Sequence, residues 1–363
     1  MTDPFADAID RLLASTCGPE VVSAAEREWP SALWAAFEAS GIALVGVREE
    51  RDGAGGSWSE MTEVIRTAAR WAAPIPVAET IVARHIGDRA GLDLPAGAIS
   101  LAAGDDVTLD ARRRLTGSLR RVPWARQVAA ILLTVRRGDE TVIARVDMPQ
   151  ARSGMSLEHG ENLAREPRDS IRFDALPVAV ADTHASVSTQ QDGPTTASAH
   201  ISGAMAGSAQ LSGALARSAQ ISGALERALE LSAAHAGVRE QFGRPIAKFQ
   251  AVQDLIARLA GESAATRAAV DAAARTGADP RAVAAAKVRA SMAASEGARL
   301  AHQIHGAIGV TYEHQLHHFT TRLWSWRDEF GTEATWARTL GARVSEEGGA
   351  GFWAWLTTSA DAA

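Results

Sequence analysis

Four groups of residues in this chain could carry chemistry. Arg239-Glu240-Gln241-Phe242-Gly243-Arg244-Pro245-Ile246, followed closely by Phe249-Gln250, sets arginines beside a glycine turn. A guanidinium offers a rigid fork of donors that suits a diphosphate. Gln303-Ile304-His305-Gly306-Ala307-Ile308-Gly309 is a glycine-rich turn, and such turns let backbone N–H groups approach a phosphate or an adenine closely. Asp328-Glu329-Phe330-Gly331-Thr332-Glu333 brings carboxylates to a glycine turn. A carboxylate in a dry slot serves as a general base, because burial raises its pKa towards that of an acidified C–H. Finally, Tyr312-Glu313-His314-Gln315-Leu316-His317-His318 crowds a carboxylate and three imidazoles, and His314 with His317 or His318 could share a helix face as metal ligands do. Taken singly, Arg239 reads as a helix-end ion pair and Gly306 as a helix C-cap.

These groups need a scaffold, and 363 residues with 46% hydrophobic and 22% charged content provide a soluble globular one with two or three units. The net charge of -6 excludes the concentrated basic face that nucleic acid or an acidic membrane needs. Arg112, Arg113, Arg114, Arg120 and Arg121 cluster locally and read as a solvated strand edge or loop, with contact to a ligand phosphate as the alternative. The single cysteine, Cys17, cannot close an intrachain disulfide, and the N-terminus lacks a signal-peptide pattern, so a cytoplasmic location is expected. No apolar run is long enough for a transmembrane helix.

Along the chain, Phe5, Ile9, Leu12 and Leu13 fall at helical spacing after Pro4, and Leu33, Trp34 and Phe37 follow Pro30 up to Gly41. Met61, Val64, Ile65 and Ala68 resume the stripe after the Gly53–Gly56 turn, which is not a P-loop because no Gly-Lys-Ser/Thr follows. Val128–Val135 and Thr141–Val146 predict a hairpin, and Ser170–Val178 alternates as a further strand. Residues 179–197 read as a linker. Three near-identical copies then begin at Ser198, Ser208 and Ser218. Ten residues are about 2.8 helical turns, so each copy points some 80° away from the last and no solenoid follows. A duplication lengthening one helix is the plainer account. Helices are expected to follow up to Val238, from Val252 to Ala274, from Pro280 to His305 and from Gln315 towards Arg343. Trp324, Trp326, Trp336, Trp353 and Trp355 read as packing residues. The fold expected is α+β and multidomain: an N-terminal helical domain (1–95), a middle antiparallel β-domain (96–190) and a C-terminal four-helix bundle (191–363).

This order, with Arg239–Ile246, Phe249–Gln253 and the Gln303–Gly309 turn, resembles the acyl-CoA dehydrogenase superfamily, including the heterotetrameric members used in bacterial steroid side-chain breakdown. Ala307 stands where the family carries a second glycine. Glu49–Gly56 and Pro74–Glu79 are weaker matches. The resemblance implies FAD, bound in a site shared between subunits by Arg239, Gln241, Phe242, Phe249, Gln250, Gln303, His305, Gly306 and Ala307, with Val122 and Pro123 beside the flavin ring. Those two, with Arg121, replace the family's Trp-Ile-Thr, and the family's acyl-side Thr-Glu-Pro…Gly-Ser-Asp loop is missing. It further implies an acyl-CoA substrate, a homo- or heterotetramer with a second such subunit, and electron-transfer flavoprotein as acceptor. No metal is expected, since similar Glu-His…His runs occur in bacterial members without zinc; a role near the flavin or at a subunit interface is expected for them.

The resemblance also implies an α,β-dehydrogenation in which a glutamate takes the α-proton. Counting from Gln303 places that glutamate's position at Phe330, while in a minority of members the base comes from an earlier helix, at the position of Gly213 here. Glu329 is the nearest carboxylate, although one residue along a helix turns a side chain by about 100°. Glu226 has no family precedent and reads as a surface helix residue. Three readings stay open: Glu329 as catalytic base, a flavin-binding subunit whose base comes from a partner chain, and a catalytically impaired or non-dehydrogenase relative of the same fold. A non-catalytic assembly protein would show no flavin under any pairing, and an oxidase or monooxygenase would consume oxygen with substrate.

Overall fold

The computed structural model describes residues 4–137, 140–148, 153–181 and 209–361. Five helices come first: α1 (Pro4–Thr16), α2 (Pro19–Ala24), α3 (Ser31–Ala39), α4 (Trp58–Arg70) and α5 (Val77–Arg89). In α1, Ile9 and Leu13 are one turn apart and both fully buried, as the helical spacing requires. The Glu49–Gly56 stretch holds a short 3-10 turn, and α4 starts on a reciprocal capping box between Ser57 and Glu60. Trp71 donates its indole N–H to Asp10 at 2.8 Å and ties the end of α4 to α1.

The middle region is one seven-stranded sheet of β1 (Ile99–Leu109), β2 (Arg114–Pro123), β3 (Ala130–Arg137), β4 (Glu140–Asp147), β5 (Met155–Glu158), β6 (Arg168–Pro177) and β7 (Ala179–Val180), in the order β5-β6-β2-β1-β3-β4-β7. The β3–β4 hairpin pairs Ile131 with Val146 and Leu133 with Ala144, as the two apolar runs predict. All pairs are antiparallel except β1 with β3. Parallel neighbours need a crossover. Here β2 provides it, returning the chain along one edge of β1 so that β3 can start level with Ile99 on the other. β7 pairs with β4 through Ala179 and Val180, so the sheet reaches into the stretch read as a linker. Residues Ala130 to Val135 are buried without alternation, because both faces of β3 are covered.

The C-terminal region contains α6 (Ala209–Val238), a small hairpin of β8 (Glu240–Gln241) and β9 (Arg244–Pro245), α7 (Gln250–Arg275), α8 (Pro280–His305), α9 (Leu316–Trp326) and α10 (Glu333–Asp361), the last kinked at Gly348. Asp279 caps α8 by accepting from the N–H groups of Arg281 and Ala282. From Ala209 on, the second and third repeat copies run within the single 30-residue helix α6, whereas Ser208 and the first copy lie outside the described residues, as does the expected boundary at 190/191. Gly223, in the third copy, lets α6 press onto α4: a Cβ there would sit 2.0 Å from the carbonyl oxygen of Arg66. Glu226 is not a free surface residue, since it pairs with Arg66, Arg70 and Arg267 on that same face. The expected helix from Gln315 towards Arg343 is broken over residues 327–332, where Phe330 and Gly331 take φ of 53° and 96°. Among the described residues no helix is long and apolar enough to cross a membrane.

Candidate active site

A cavity of about 680 Å³ opens between the sheet and the bundle. That volume is in the usual range of a ligand pocket, about 300–1,000 Å³. Its sheet side carries Leu101, Leu119, Val122 and Pro123, and its helical side Trp324, Phe330 and Gly331. Val122 and Pro123 lie just past an irregularity in the β2–β6 register, where Arg121 has φ of 56°; bulges of this kind re-aim a strand next to a site. Arg120 and Arg121 also line the cavity, so this part of the arginine cluster is more than a solvated edge. The carbonyl of Pro123 accepts from the Ser100 hydroxyl, which fixes the strand end.

The break between α9 and α10 forms the helical wall. Buried Lys287 donates from Nζ to the carbonyls of Trp326 and Arg327 at 2.9 Å each, and Ser291 Oγ also donates to Arg327. The Trp336 indole N–H donates to the Phe330 carbonyl at 2.9 Å. Pinned on both sides, Phe330 holds a left-handed backbone conformation uncommon outside glycine. Its ring lies against Gly213 of α6 so closely that a Cβ at Gly213 would be 2.3 Å from Cδ1. The two positions from which a base was expected, 117 residues apart in sequence, thus meet in space. One holds an apolar ring and the other a hydrogen atom. Gly213→Ala is expected to destabilise the chain by about 1–3 kcal/mol through overpacking, and Phe330→Ala to remove most of that penalty. Denaturant unfolding of the two single variants and the double variant measures the coupling.

Glu329, the next carboxylate, is buried and engaged. Arg168 donates from Nε to Oε1 at 2.7 Å and from Nη2 to Oε2 at 3.1 Å, while Arg217 Nε donates to Oε2 at 2.8 Å. Arg217 continues to Glu79 at 2.6 Å, and Arg168 to Glu166 at 2.9 Å; Glu166 in turn accepts from Arg322, Asn162 and the Trp326 indole. Three glutamates and three arginines, all buried, therefore join α5, the β5–β6 loop, β6, α6, α9 and the 327–332 turn. Burial alone would raise the Glu329 pKa, but Arg168 and Arg217 hold it down at about 2. Proton abstraction from carbon asks for the opposite shift. None of these partners was singled out from sequence. The available signal was Arg217 itself, the one charged residue between Ala209 and Leu225 of α6.

The residues expected to hold a cofactor fall into two sets. Val122 and Pro123 are at the cavity. The others gather where α6 and α8 end. Arg239, Gln241, Phe242 and Gln250 are exposed around the β8–β9 hairpin, Phe242 at 93%, with Phe249 half-buried under the Arg244 guanidinium at 4.3 Å. Gln303, Gly306 and Ala307 are exposed at the end of α8, and among the described residues nothing stands within 4 Å of where a Gly306 side chain would be. His305 is buried and stacks on His235 at 4.6 Å, which brings the turn beside the arginine segment. Arg239 makes no ion pair among the described residues. A free guanidinium next to an open glycine turn fits a diphosphate.

The Tyr312–His318 run does not act as one cluster. His314 faces His235 and His305, with ring centroids 6.2 and 4.6 Å apart, whereas His317 and His318 turn towards Glu26.

Residues 206–345 match the family model for the acyl-CoA dehydrogenase C-terminal domain. The chain is 30% identical to acyl-CoA dehydrogenase IpdE2 of Mycobacterium tuberculosis over 324 residues, covering 87% of this chain and 88% of that one. Its fold is that of the ChsE4-ChsE5 complex from Mycobacterium tuberculosis (TM-score 0.80, 21% identity, 95% and 98% of the chains covered). It is also that of PigA solved with FAD and proline (TM-score 0.77, 15% identity, 96% and 99% covered). With a relative of that identity matched along nearly its whole length, and with the helix, sheet and bundle order in place, the chain belongs to the acyl-CoA dehydrogenase family.

Proposed function

We propose that this chain is the FAD-binding subunit of a heteromeric acyl-CoA dehydrogenase and that the base taking the substrate's α-proton comes from a partner chain. The observation carrying this reading is the contact of Phe330 with Gly213: Phe330 lines the cavity, Gly213 packs against its ring, and neither family position for the base bears a carboxylate. Glu329 beside them serves as an ion-pair anchor for the wall. FAD, when bound, supplies the acceptor for the hydride that leaves the β-carbon of the thioester, and electron-transfer flavoprotein is the proposed outlet for the electrons. Arg239 and the Gln303–Ala307 turn would hold the diphosphate and adenosine of a cofactor shared with the neighbouring subunit, while Val122 and Pro123 flank the ring from the strand end. Exposure of the first set on a single chain supports this, because a partner surface is needed to enclose a cofactor there. A neighbour that is itself a two-component complex, and another solved with FAD, make both parts of the reading reasonable for this fold.

The test is co-purification with the product of the adjacent reading frame, followed by flavin content and flavin bleaching on a panel of acyl-CoA thioesters that includes ring-bearing ones. Flavin and acyl-CoA-dependent bleaching are expected in the mixed complex, with bleaching absent from this chain alone. Bleaching by the isolated chain would reject the partner-supplied base, and oxygen consumption matched to substrate would reject the dehydrogenase chemistry.

A further inference from the structure

Away from the cavity, Glu26 after α2 meets His317 and His318 in the first turn of α9, and the ligand atoms that the three side chains offer lie within 4.8 Å of one another. The hydrogen bonds around them fix where each ring carries its proton. His317 Nδ1 is 2.7 Å from the carbonyl oxygen of His314, which can only accept, so Nδ1 is protonated and Nε2 keeps a lone pair. That Nε2 is buried and has no hydrogen-bond partner among the described residues. His318 Nε2 is 3.2 Å from Ser23 Oγ, whose hydroxyl already donates to the Pro19 carbonyl at 2.9 Å. Ser23 Oγ therefore accepts, His318 Nε2 is protonated, and the lone pair of Nδ1 faces Glu26 Oε1 at 4.0 Å.

Two imidazole lone pairs thus stand in a cluster with a carboxylate, one facing Glu26 and the other without a hydrogen-bond partner among the described residues. Acceptors so arranged repel one another unless a cation lies among them. We propose that Glu26, His317 and His318 form a divalent transition-metal site, of the two-histidine, one-carboxylate type suited to zinc, that joins the N-terminal helices to α9. Each ring already donates its other N–H to an oxygen, the arrangement that orients histidine ligands in metal sites. Zinc–nitrogen and zinc–oxygen bonds of about 2.0–2.2 Å need the ligand atoms drawn slightly closer than they stand. The partly exposed Glu26 can make that movement, giving up only a 3.6 Å contact with the exposed Arg165. The adjoining His235, His305 and His314 differ: the Leu316 N–H donates to His314 Nδ1, which leaves the proton on Nε2 and its lone pair spent. No metal was expected from sequence because similar runs occur in family members without zinc, and nothing in the run or its spacing pointed to Glu26 as a third ligand.

The experiment uses the tag-free full chain, stripped with chelator and titrated with Co(II), whose visible d–d band reports nitrogen and oxygen ligation. One cobalt per chain is expected, displaced by one zinc, with zinc raising the thermal midpoint. Glu26→Gln and His317→Asn, both at partly exposed positions, are each expected to remove the band at equimolar metal while circular dichroism stays native. No band in the wild-type chain, or a band that survives both substitutions or is lost on His235→Asn, would overturn the assignment. Because neither readout involves flavin or thioester, the result is independent of the proposed dehydrogenase role.

Discussion

Glu329→Gln is expected to cost about 3–5 kcal/mol of stability, the usual consequence of removing one member of a buried ion pair. Glutamine keeps the size of the side chain, so the effect isolates the charge. Without it, Arg168 keeps only Glu166 and Arg217 only Glu79, so each almost wholly buried guanidinium loses part of its compensation inside the protein. The pH dependence gives a second reading of the same residue. Its folded pKa of about 2 lies below the ordinary 4.5, so its contribution is present above the unfolded value and is lost as pH falls from about 4.5 towards 2. Wild type should lose stability in that window, and the variant should lose correspondingly less. Denaturant midpoints of both proteins across that range provide the check. A catalytic base would behave in the opposite way: unchanged midpoints, with flavin reduction in the assembled complex falling by about 10²–10⁴.

That residue also marks how far sequence could be read. Helices such as α4, with its Met61, Val64, Ile65 and Ala68 stripe, and α8, starting at Pro280, were legible because those signals are local. So was the β3–β4 hairpin, whose runs favour strands on their own. The parallel placement of β3 was not, since it depends on which edge of β1 remains free once β2 has turned back. The break at 327–332 was hidden for a related reason: Lys287, Ser291 and Trp336, none of them beside it in sequence, hold the left-handed Phe330. Family register pointed to Phe330 and Gly213 separately, but only packing shows that one fills the space of the other. Likewise the histidine run looked like one cluster because its members are consecutive, and folding divides it between His235 and Glu26. Locally encoded elements were readable, and pairings across the chain were not.

Arg239→Ala is expected to strip the proposed cofactor from the assembled protein without unfolding it. The side chain is exposed and makes no ion pair among the described residues, so its removal leaves the chain's own packing untouched. The local turn also survives, because it is the Arg239 carbonyl, not the guanidinium, that accepts from Ile246 N–H at 2.7 Å. What disappears is a two-pronged donor for a diphosphate. Truncating one partner of a desolvated, hydrogen-bonded charge pair costs about 2–5 kcal/mol, enough to weaken FAD by well over tenfold. Arg239→Lys separates charge from shape: it keeps the positive charge but loses the planar fork, and an intermediate loss is expected. Flavin per chain in the purified complex and FAD fluorescence titration of the stripped complex measure the effect, with the thermal midpoint of the flavin-free protein as the control for folding. Equal flavin content in wild type and both variants would remove Arg239 from the cofactor site and leave the open turn at Gly306 without its charged partner.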